Sequence, residues 1–213
     1  MKSARARKAP AKGFFVHPQA LVESGTIGPR TRIWAFAHVM KGARIGADCN
    51  IGDHAFIESG VVLGNNVTVK NGVSLWTGLT VEDNVFLGPN CAFTNDPNPR
   101  AYIKKPETEL ESTLVRANAT IGANATLLCG ITIGRYAFIG AGAVVLHSVP
   151  DFALMVGNPA RQTGWMCACA HKLPLGETAP PGTKCTCPHC QATFEHSPEG
   201  LLLPDSSSRE STK

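Results

Sequence analysis

Five cysteine residues near the end of the chain are spaced closely enough to bind one metal ion. They are Cys167, Cys169, Cys185, Cys187 and Cys190. A Cys-Ala-Cys sequence followed, after a spacer, by Cys-Pro-His-Cys resembles a zinc ribbon, in which four thiolates ligate Zn²⁺ tetrahedrally. The expected ligands are Cys167, Cys169, Cys187 and Cys190, with Cys185 as the alternative for one of them. His171 or His189 could replace a thiolate. A structural rather than a catalytic site is expected, because the pattern leaves no open coordination position.

A second group of polar residues lies in the middle of the chain, at the start of a segment that interrupts a regular pattern. Residues 95–114 contain three prolines and no strand periodicity. Thr94, Asn95, Asp96 and Arg100 stand at the beginning of this segment. Binding residues concentrate on loops that a rigid scaffold holds in place. The sequence therefore predicts a substrate site at this loop.

The scaffold is predicted by a six-residue repeat on both sides of the loop. Large apolar residues occupy every sixth position from Ile27 to Phe93 and again from Val115 to Val145, and small or β-branched residues follow four positions later. This period suits short strands joined by tight turns and stacked coil upon coil, not a helix or a β-sandwich. We expect an all-β parallel β-helix of about six coils with strands about 4.8 Å apart.

Three hexads to a coil would place equivalent residues of successive coils directly above one another. Trp76 then lies one coil below Thr94, and Glu58 lies one coil below Trp76. A neighbouring turn carries His54, and the strand between brings Lys70. An aromatic ring and a carboxylate on an outward column beside the loop are candidates for substrate binding. Each of these side chains alone could equally be a solvated or an interface residue.

The motifs resemble those of a known family. They are the hexapeptide repeats, Phe-Thr-Asn-Asp at residues 93–96 with Pro-Arg at 99–100, and Gly-Asn-Pro-Ala-Arg at 157–161. Over about residues 16–165 the chain is similar to the left-handed β-helix N-acetyltransferases of nucleotide-linked 3-amino sugars. Those enzymes act on UDP-3-amino uronates or dTDP-3-amino-6-deoxyhexoses in surface-polysaccharide synthesis. The resemblance implies a left-handed coil and a homotrimer with active sites between subunits.

The resemblance also implies which residues contact acetyl-CoA. The pantetheine arm would pass the backbone amides of Gly140, Ala141 and Gly142. Asn158 and Arg161 match the segment that meets the nucleotide end of CoA, where a guanidinium group suits a phosphate.

On the acceptor side, Asn95 matches the position that holds the amino group of the sugar near the thioester. Lys70 and Arg100 could meet a carboxylate or a phosphate, and Trp76 could stack on a base or a sugar. The turn of Asp53 and His54 differs from the Gln-Asn expected in the UDP-uronate branch, which leaves the choice between UDP and dTDP open.

Direct acyl transfer from the thioester to a free amine is the expected reaction. Alignment of the two reactants lowers the barrier, and backbone N–H groups stabilise the tetrahedral oxyanion. His54 could take the proton of the amine, because histidine titrates closest to neutral pH, with Asp96 or Glu58 orienting it. Alternatively there is no protein base, and the departing thiolate accepts the proton.

Three alternative functions share this scaffold. An O-acetyltransferase needs a strong base to activate a hydroxyl group, and the Phe-Thr-Asn loop contains no histidine. Metal-dependent hydration needs three histidine ligands, whereas His38, His54 and His147 fall on different coils. Outside enzymes, the alternative is a binding or assembly module that docks partners through the zinc ribbon.

Composition and charge define the two ends of the chain. The 213 residues carry a formal net charge of +4, and residues 1–15 are basic. We expect this arm to be disordered rather than to bind nucleic acid or lipid. Residues 16–155 are the predicted β-helix, 156–166 a linker that contacts CoA, 167–198 a zinc-ribbon-like module and 199–213 a disordered tail. Without a signal peptide or a membrane span, the expected location is the cytoplasm.

Overall fold

The structure is a computed structural model that describes residues 13–176, 179–198 and 200–202. Most of the predicted basic arm (residues 1–12) and most of the predicted tail (residues 203–213) therefore lie outside the described residues. Within the described ranges the chain is all-β apart from one 3₁₀ turn at Glu107–Glu109. None of these ranges contains a helix long and apolar enough to cross a bilayer.

Strands of two or three residues dominate the fold, because each hexad supplies one short strand and one turn. In chain order the strands are β1 (Phe15–Val16), β2 (Leu21–Val22), β3 (Thr26–Ile27), β4 (Arg32–Ile33), β5 (His38–Val39), β6 (Arg44–Ile45), β7 (Asn50–Ile51), β8 (Phe56–Ile57), β9 (Val62–Leu63), β10 (Thr68–Val69), β11 (Ser74–Leu75), β12 (Leu79–Val81), β13 (Phe86–Leu87), β14 (Ala92–Phe93), β15 (Thr113–Val115), β16 (Thr120–Ile121), β17 (Thr126–Leu127), β18 (Thr132–Ile133), β19 (Phe138–Ile139), β20 (Val144–Val145), β21 (Ala153–Val156), β22 (Arg161–Trp165), β23 (Lys184–Thr186), β24 (Thr193–Ser197) and β25 (Gly200–Leu202).

Three parallel sheets form the walls of a prism. Sheet A contains β1, β4, β7, β10, β13, β16, β19 and β21; sheet B contains β2, β5, β8, β11, β14, β17 and β20; sheet C contains β3, β6, β9, β12, β15 and β18. Each strand pairs with the strand three hexads later in the chain, as Thr68 does with Phe86, which confirms the predicted coil of three hexads. Sheet A has eight coils rather than six, because β1 precedes the first hexad and β21 follows the last.

The interior of the prism is filled by the two predicted residue columns. Ile33, Ile57 and Leu127 represent the large column and are fully buried, and Ala43 represents the small column. Thr31 is a polar member of the small column. Its hydroxyl donates to the carbonyl oxygen of Gly46 at 2.8 Å and accepts from the amide of Cys49 at 3.0 Å. The buried hydroxyl is therefore fully paired, as burial of a polar group requires.

Three corners join the sheets, and each corner stacks its turns in a column. The first corner follows sheet A at residues 35–36, 53–54, 71–72, 89–90, 123–124 and 141–142. The second follows sheet B at residues 41–42, 59–60, 77–78 and 129–130, and the third follows sheet C at residues 29–30, 47–48, 65–66, 83–84, 117–118 and 135–136. The second residue of each turn has a positive φ, for example 58° at His54 and 69° at Gly142. Left-handed conformations explain the glycine and asparagine in these turns.

The loop leaves the prism at the second corner. It occupies residues 94–112 rather than the predicted 95–114, because Thr113 already pairs with Leu79 at the start of β15. On the other side of the loop, Ala92 pairs with Thr126 and Phe93 with Leu127, so β14 and β17 stack directly although the loop lies between them in the chain. Coil stacking therefore continues across the loop without a change of register.

Two predicted boundaries at the end of the chain were wrong. Residues 156–166 are not a linker, because β22 pairs antiparallel with β21 and extends sheet A, with Arg161 beside Val156. This hairpin covers the edge that β21 would otherwise leave open. The predicted tail likewise begins with a strand, β25, which pairs with β24.

Strands β23, β24 and β25 form a small antiparallel sheet that packs on the last coil. The ring of Phe194 meets Phe152 edge to face at 5.4 Å, and Phe152 stacks on Tyr136 at 4.8 Å. Asp151 forms a bridge with Gly200. Phe194 and Leu201 belong to the same buried cluster as the prism interior. The module thus caps one end of the prism, as terminal units of solenoids do.

Candidate active site

Asn95 lies where the loop leaves the second corner, one coil above Thr77. Its side-chain Nδ2 donates to the carbonyl oxygen of Thr77 at 3.4 Å. Its carbonyl oxygen accepts from the amide of Glu111 at 2.9 Å, which joins the two ends of the loop. Within the described residues, Oδ1 of Asn95 has no hydrogen-bond partner, and the residue is half-buried. This oxygen can accept a hydrogen bond from a bound amine.

Asp96 closes the loop instead of facing a histidine. Its carboxylate accepts from Nζ of Lys105 at 2.5 Å and from the amide of Asn98 at 2.9 Å. Lys105 also donates to the carbonyl oxygen of Asn98 at 3.2 Å. The Lys105 ammonium group, followed by the Asn98 amide, holds the pKa of Asp96 below its usual range. Asp96 is therefore already engaged and does not orient His54. The sequence did not single out Lys105, because a lysine in a polar loop carries no distinctive signal.

The predicted outward column of Glu58, Trp76 and Thr94 exists at the second corner, but two of its side chains accept hydrogen bonds from backbone amides. Oε2 of Glu58 accepts from the amide of Thr77 at 2.7 Å, and Oγ1 of Thr94 accepts from the amide of Cys129 at 2.9 Å. Trp76 is half-buried, with its ring 5.5 Å from that of Phe56. Glu58 and Thr94 thus hold the turns that position Asn95, whereas Trp76 borders the outer face of sheet B.

His54 lies on a different corner from Asn95. It occupies the first corner, and its ring stacks on that of Phe36 at 4.9 Å with an interplanar angle of 17°. Two coils separate His54 from Asn95 by about 10 Å along the prism, and the width of sheet B adds to this separation. One chain therefore does not bring these two residues together. A count of three hexads per coil shows on which coil a residue lies. The corner on which it lies must be derived separately, from its position within the three hexads.

Lys70 and Arg100 lie apart from each other. Lys70 directly follows β10 at the first corner, where its amide donates to the carbonyl oxygen of Leu87 at 2.9 Å. It stands one coil above His54 on the same corner. Arg100 is exposed on the loop, and its carbonyl oxygen accepts from Ile103 at 3.0 Å. A diphosphate in the groove beside the first corner could reach Lys70.

The first corner has a row of unpaired backbone donors that sequence reasoning did not predict. In the equivalent position of the third corner, four amides donate to side chains; they belong to Ala47, Asn65, Ala117 and Arg135. Among the described residues, the first-corner amides of Ala35, Asp53, Asn71, Ala123 and Ala141 have no acceptor. Pro89 interrupts the row on the coil that leads to Asn95. An elongated ligand with carbonyl groups could pair with these donors.

The residues expected to contact CoA come together at the last coils. The amide of Gly140 donates to the carbonyl oxygen of Met155 at 2.7 Å. The amide of Val144 donates to Gly157 at 3.0 Å, and the carbonyl oxygen of Val144 accepts from Ala160 at 2.8 Å. The turn of the β21–β22 hairpin, with exposed Asn158, and exposed Arg161 at the start of β22 are thereby held beside Ala141 and Gly142. A Cβ at Gly140 would lie 2.8 Å from Cγ1 of Val156, so this close packing requires glycine.

Four cysteines converge in the C-terminal module, and they are the four that the spacing favoured. The Sγ atoms of Cys167, Cys169, Cys187 and Cys190 all lie within 4.8 Å of one another. The Sγ distances are 3.4 Å from Cys167 to Cys190 and 3.6 Å from Cys169 to Cys187. Zn–S bonds of about 2.3 Å in a tetrahedron give S···S edges of about 3.8 Å, so the four sulfurs fit zinc. The backbone N–H of Cys190 is the main cause that lowers the pKa of Cys187 to about 6.

The alternative ligands lie beside the cluster rather than in it. Cys185 is buried in the hydrophobic core, where desolvation raises the pKa of its thiol. His171 and His189 stack at 3.7 Å on the exposed side and form a second group with Cys169.

Comparisons with known proteins agree with this architecture. The model of the family described as bacterial transferase hexapeptide (six repeats) matches residues 24–59 and 112–147. The chain is 54% identical over 159 residues to the dTDP-3-amino-3,6-dideoxy-alpha-D-galactopyranose 3-N-acetyltransferase of Aneurinibacillus thermoaerophilus, covering 75% of this chain and 82% of that protein.

Two solved structures are similar to this chain over part of their length. PerB from Caulobacter crescentus, in complex with CoA and GDP-perosamine, is 23% identical with a TM-score of 0.46, over 72% of this chain and 58% of that chain. The acetyltransferase domain of PglB from Neisseria gonorrhoeae, in complex with acetyl coenzyme A, is 21% identical with a TM-score of 0.42, over 70% of this chain and 57% of that chain.

Proposed function

The chain belongs to the hexapeptide-repeat acetyltransferases, and from this membership we propose that it acetylates the 3-amino group of a dTDP-linked 3-amino-3,6-dideoxyhexose. The observation that carries the proposal is the 54% identity to a 3-N-acetyltransferase of such a sugar, in a match that covers 82% of that enzyme. A UDP-linked amino sugar is the second candidate substrate. Either product would serve surface-polysaccharide synthesis.

Acetyl-CoA would lie along the upper part of the first corner. The unpaired amides of Ala123 and Ala141 are one coil apart, about 4.8 Å, and can donate to carbonyl groups of the pantetheine arm. Arg161 and Asn158 are exposed beside the last coil and would meet the phosphates of the nucleotide end. The thioester would then point down the prism towards the coil of Asn95.

Asn95 would position the attacking amine. Its free Oδ1 accepts a hydrogen bond from the neutral amine and directs the nitrogen lone pair at the thioester carbon. A C–N bond forms, the tetrahedral oxyanion is stabilised by a backbone N–H, and the C–S bond breaks. His54 stacks on Phe36 and is assigned to the nucleotide below. The proton of the amine passes instead to the departing CoA thiolate, which leaves as the free thiol.

The active site would be shared between subunits of a homotrimer. In one chain, Asn95 follows Asn90 of the first corner by five residues, an extended span of up to roughly 17 Å across sheet B. Acetyl-CoA on the first corner of one subunit can instead meet Asn95 of a neighbouring subunit across the cleft between two prisms.

The nucleotide would extend along the first corner below the reacting atoms. Lys70 and the unpaired amides of Asn71 and Asp53 are suitable donors to a diphosphate. The exposed stack of Phe36 and His54 lies farther down the same corner and offers a face for the pyrimidine base. Trp76 borders the face of sheet B and would contact the sugar. His54 is thus assigned to substrate binding rather than to proton transfer.

We also propose a cytoplasmic location. None of the eight cysteines, all of which lie within the described residues, forms a disulfide, as expected in a reducing compartment.

The experiment follows free-thiol release from acetyl-CoA with a panel of dTDP- and UDP-linked 3-amino sugars, and with their 3-hydroxy counterparts. Asn95→Ala is expected to lower kcat/KM about a hundredfold, because alignment of the amine is lost. Asn98→Ala, in the same loop, is the matched control. His54→Asn should raise KM for the nucleotide sugar and leave the pH profile of kcat unchanged. Release with hydroxy sugars alone would support O-acetylation, and release with none of the panel would refute the proposal.

A further inference from the structure

We propose that Cys167, Cys169, Cys187 and Cys190 bind one Zn²⁺ that holds the β21–β22 hairpin in place, so that zinc and acetyl-CoA bind cooperatively. The zinc site stands on the geometry of the four sulfurs. The cooperativity rests in addition on the proposed position of acetyl-CoA.

The donor set selects the metal. Four sulfur atoms within 4.8 Å of one another provide a closed tetrahedral shell, which suits Zn²⁺ and not the oxygen-preferring Mg²⁺ or Ca²⁺. Cys167 and Cys187 are buried, and Cys169 and Cys190 are half-buried. Four thiolates at this distance repel one another, and a dication between them removes that repulsion. The ion is therefore the strongest connection between the two cysteine pairs.

The first cysteine pair is a direct continuation of β22. The amide of Leu173 donates to the carbonyl oxygen of Trp165 at 2.8 Å, and Met166 bridges Lys172. These bonds fold the turn containing Cys167 and Cys169 back on the end of the strand. The second cysteine pair lies between β23 and β24, in the part of the module that packs on Phe152. Zinc therefore fixes the end of β22 to the cap of the prism.

The other end of β22 carries the residues expected to meet CoA. Arg161 begins the strand, and Asn158 lies in the turn before it. The pairing of β21 with β22 shifts register between Leu154 and Met155, so the ladder between the two strands is interrupted. Among the described residues, β22 is the edge strand of sheet A and is paired on one side only, so contacts at its two ends help to hold it in place. Support comes from Val144 at the turn and from the zinc module at Trp165, whose Nε1 donates to Gly176 at 3.3 Å.

Loss of zinc should therefore loosen β22 and displace Arg161 and Asn158, which weakens CoA binding. The loop at residues 94–112 is anchored by Asn95 on Thr77 and by Thr94 on Cys129, and a hydrogen bond between Asn95 and Glu111 joins its two ends. None of these contacts involves the hairpin, so the loop should remain unaffected. Coupling between two sites is reciprocal, so CoA should tighten zinc binding by the same factor.

The test compares Cys190→Ala with Cys185→Ala. Both cysteines lie in the module, but only Cys190 belongs to the cluster. The wild-type chain and Cys185→Ala should each contain one zinc per chain by elemental analysis, and Cys190→Ala should contain less. By calorimetry, Cys190→Ala should bind CoA about tenfold more weakly and bind dTDP unchanged. Cys185→Ala should bind both ligands as the wild type does.

A second arm uses the wild-type protein, so that the test does not depend on the folding of a variant. A zinc chelator should remove the ion and weaken CoA binding by the same factor, and added ZnCl₂ should restore it. Absence of zinc in the wild type, with none taken up, would overturn the site. Equal CoA affinity with and without zinc would overturn the coupling. A wild-type chain that binds zinc but no CoA would overturn the coupling and the proposed function together, leaving the zinc site intact.

Discussion

Single residues at the turns of the prism determine which backbone amides can reach a ligand. The first residue of these first-corner turns has an amide without an acceptor among the described residues, and at Pro89 that donor is missing. Gly88, Pro89 and Asn90 nevertheless form the same turn as Gly140, Ala141 and Gly142, with φ of 56° at Asn90 and 69° at Gly142. Proline is therefore compatible with this turn position, where it removes one N–H group and little else.

Ala141→Pro is expected to raise the Kd of acetyl-CoA roughly fivefold without a change in Tm, because one hydrogen bond to the ligand is lost. Calorimetry with CoA and a thermal melt measure the two quantities. Ala35→Pro is the matched control at the same turn position, in the lowest of these coils. An unchanged Kd in Ala141→Pro would mean that this amide does not face the cofactor.

The role of a residue was predictable from the sequence where a motif indicates it. Contacts between two residues that are distant in the sequence were less predictable. The motif identified Asn95, and the structure gives it a free oxygen. His54 was placed beside the acceptor because the stacking rule counts coils, whereas sheet B lies between the two corners. Lys105 had no signal at all, since its pairing with Asp96 depends on the path of the loop. Resemblance implied the Gly140–Gly142 turn, but the unpaired amides of the first corner needed the full hydrogen-bond pattern.

At the scale of elements, the loop is held by one charged contact at its base. Asp96 and Lys105 are each about one-fifth exposed, and the carboxylate also accepts the amide of Asn98. The pKa of Asp96 is lower in the folded loop than in an unfolded chain. The contact therefore stabilises the loop at every pH above the unfolded value of about 3.9, and this contribution is lost as the pH falls through the lower, folded value.

Asp96→Asn is expected to make the loop more susceptible to trypsin at neutral pH, with cleavage after Arg100 or Lys104 about fivefold faster than in the wild type. Mass spectrometry of a digestion time course measures the rate. Glu107→Gln, a second carboxylate of the loop, should have no effect. Amide hydrogen exchange of the loop should also be faster in Asp96→Asn than in the wild type at neutral pH. The wild-type loop should reach the faster rate of the variant only below about pH 4. Equal cleavage of both variants would show that the ion pair does not order the loop.

Strands and turns of the coils were predictable because the hexads repeat without interruption on either side of the loop. The β21–β22 hairpin was not, because it follows the last hexad and its sequence Arg-Gln-Thr-Gly-Trp has no apolar alternation. Its pairing depends on the open edge that sheet A presents at β21, a feature of the assembled fold. The predicted boundary at residue 156 therefore fell inside an element.

At the scale of the whole molecule, the proposed trimer with a site shared between chains predicts that two inactive variants restore each other's activity. Asn95→Ala removes the acceptor side of the site. Ala141→Trp fills the donor side at an exposed position, with no change on the loop. In mixed trimers each chain contributes one intact side. Random assortment of equal amounts should restore about a quarter of the wild-type activity, because one neighbouring pair in four combines two intact sides.

Coexpression of the two variants, followed by thiol-release assays, measures the recovery, and each variant alone is the control. Light scattering should give three times the 22.5 kDa chain mass. A mixture no more active than the average of the two parents would mean that each chain contains its whole site.

The constant rise of the coils has a consequence for how such an enzyme could change its donor. The turn at residues 141–142 is two coils above the turn at 89–90 that leads into the loop, about 10 Å along the axis. Because strands stack at one spacing, the distance between these two turns can change only in steps of about 4.8 Å. Insertion of one further coil, three hexads long, between β14 and β19 would lengthen this distance by one step and make room for a longer acyl group. The scaffold cannot change the distance by smaller amounts, so the length of the acyl chain would change by whole coils or by side chains that fill the cleft.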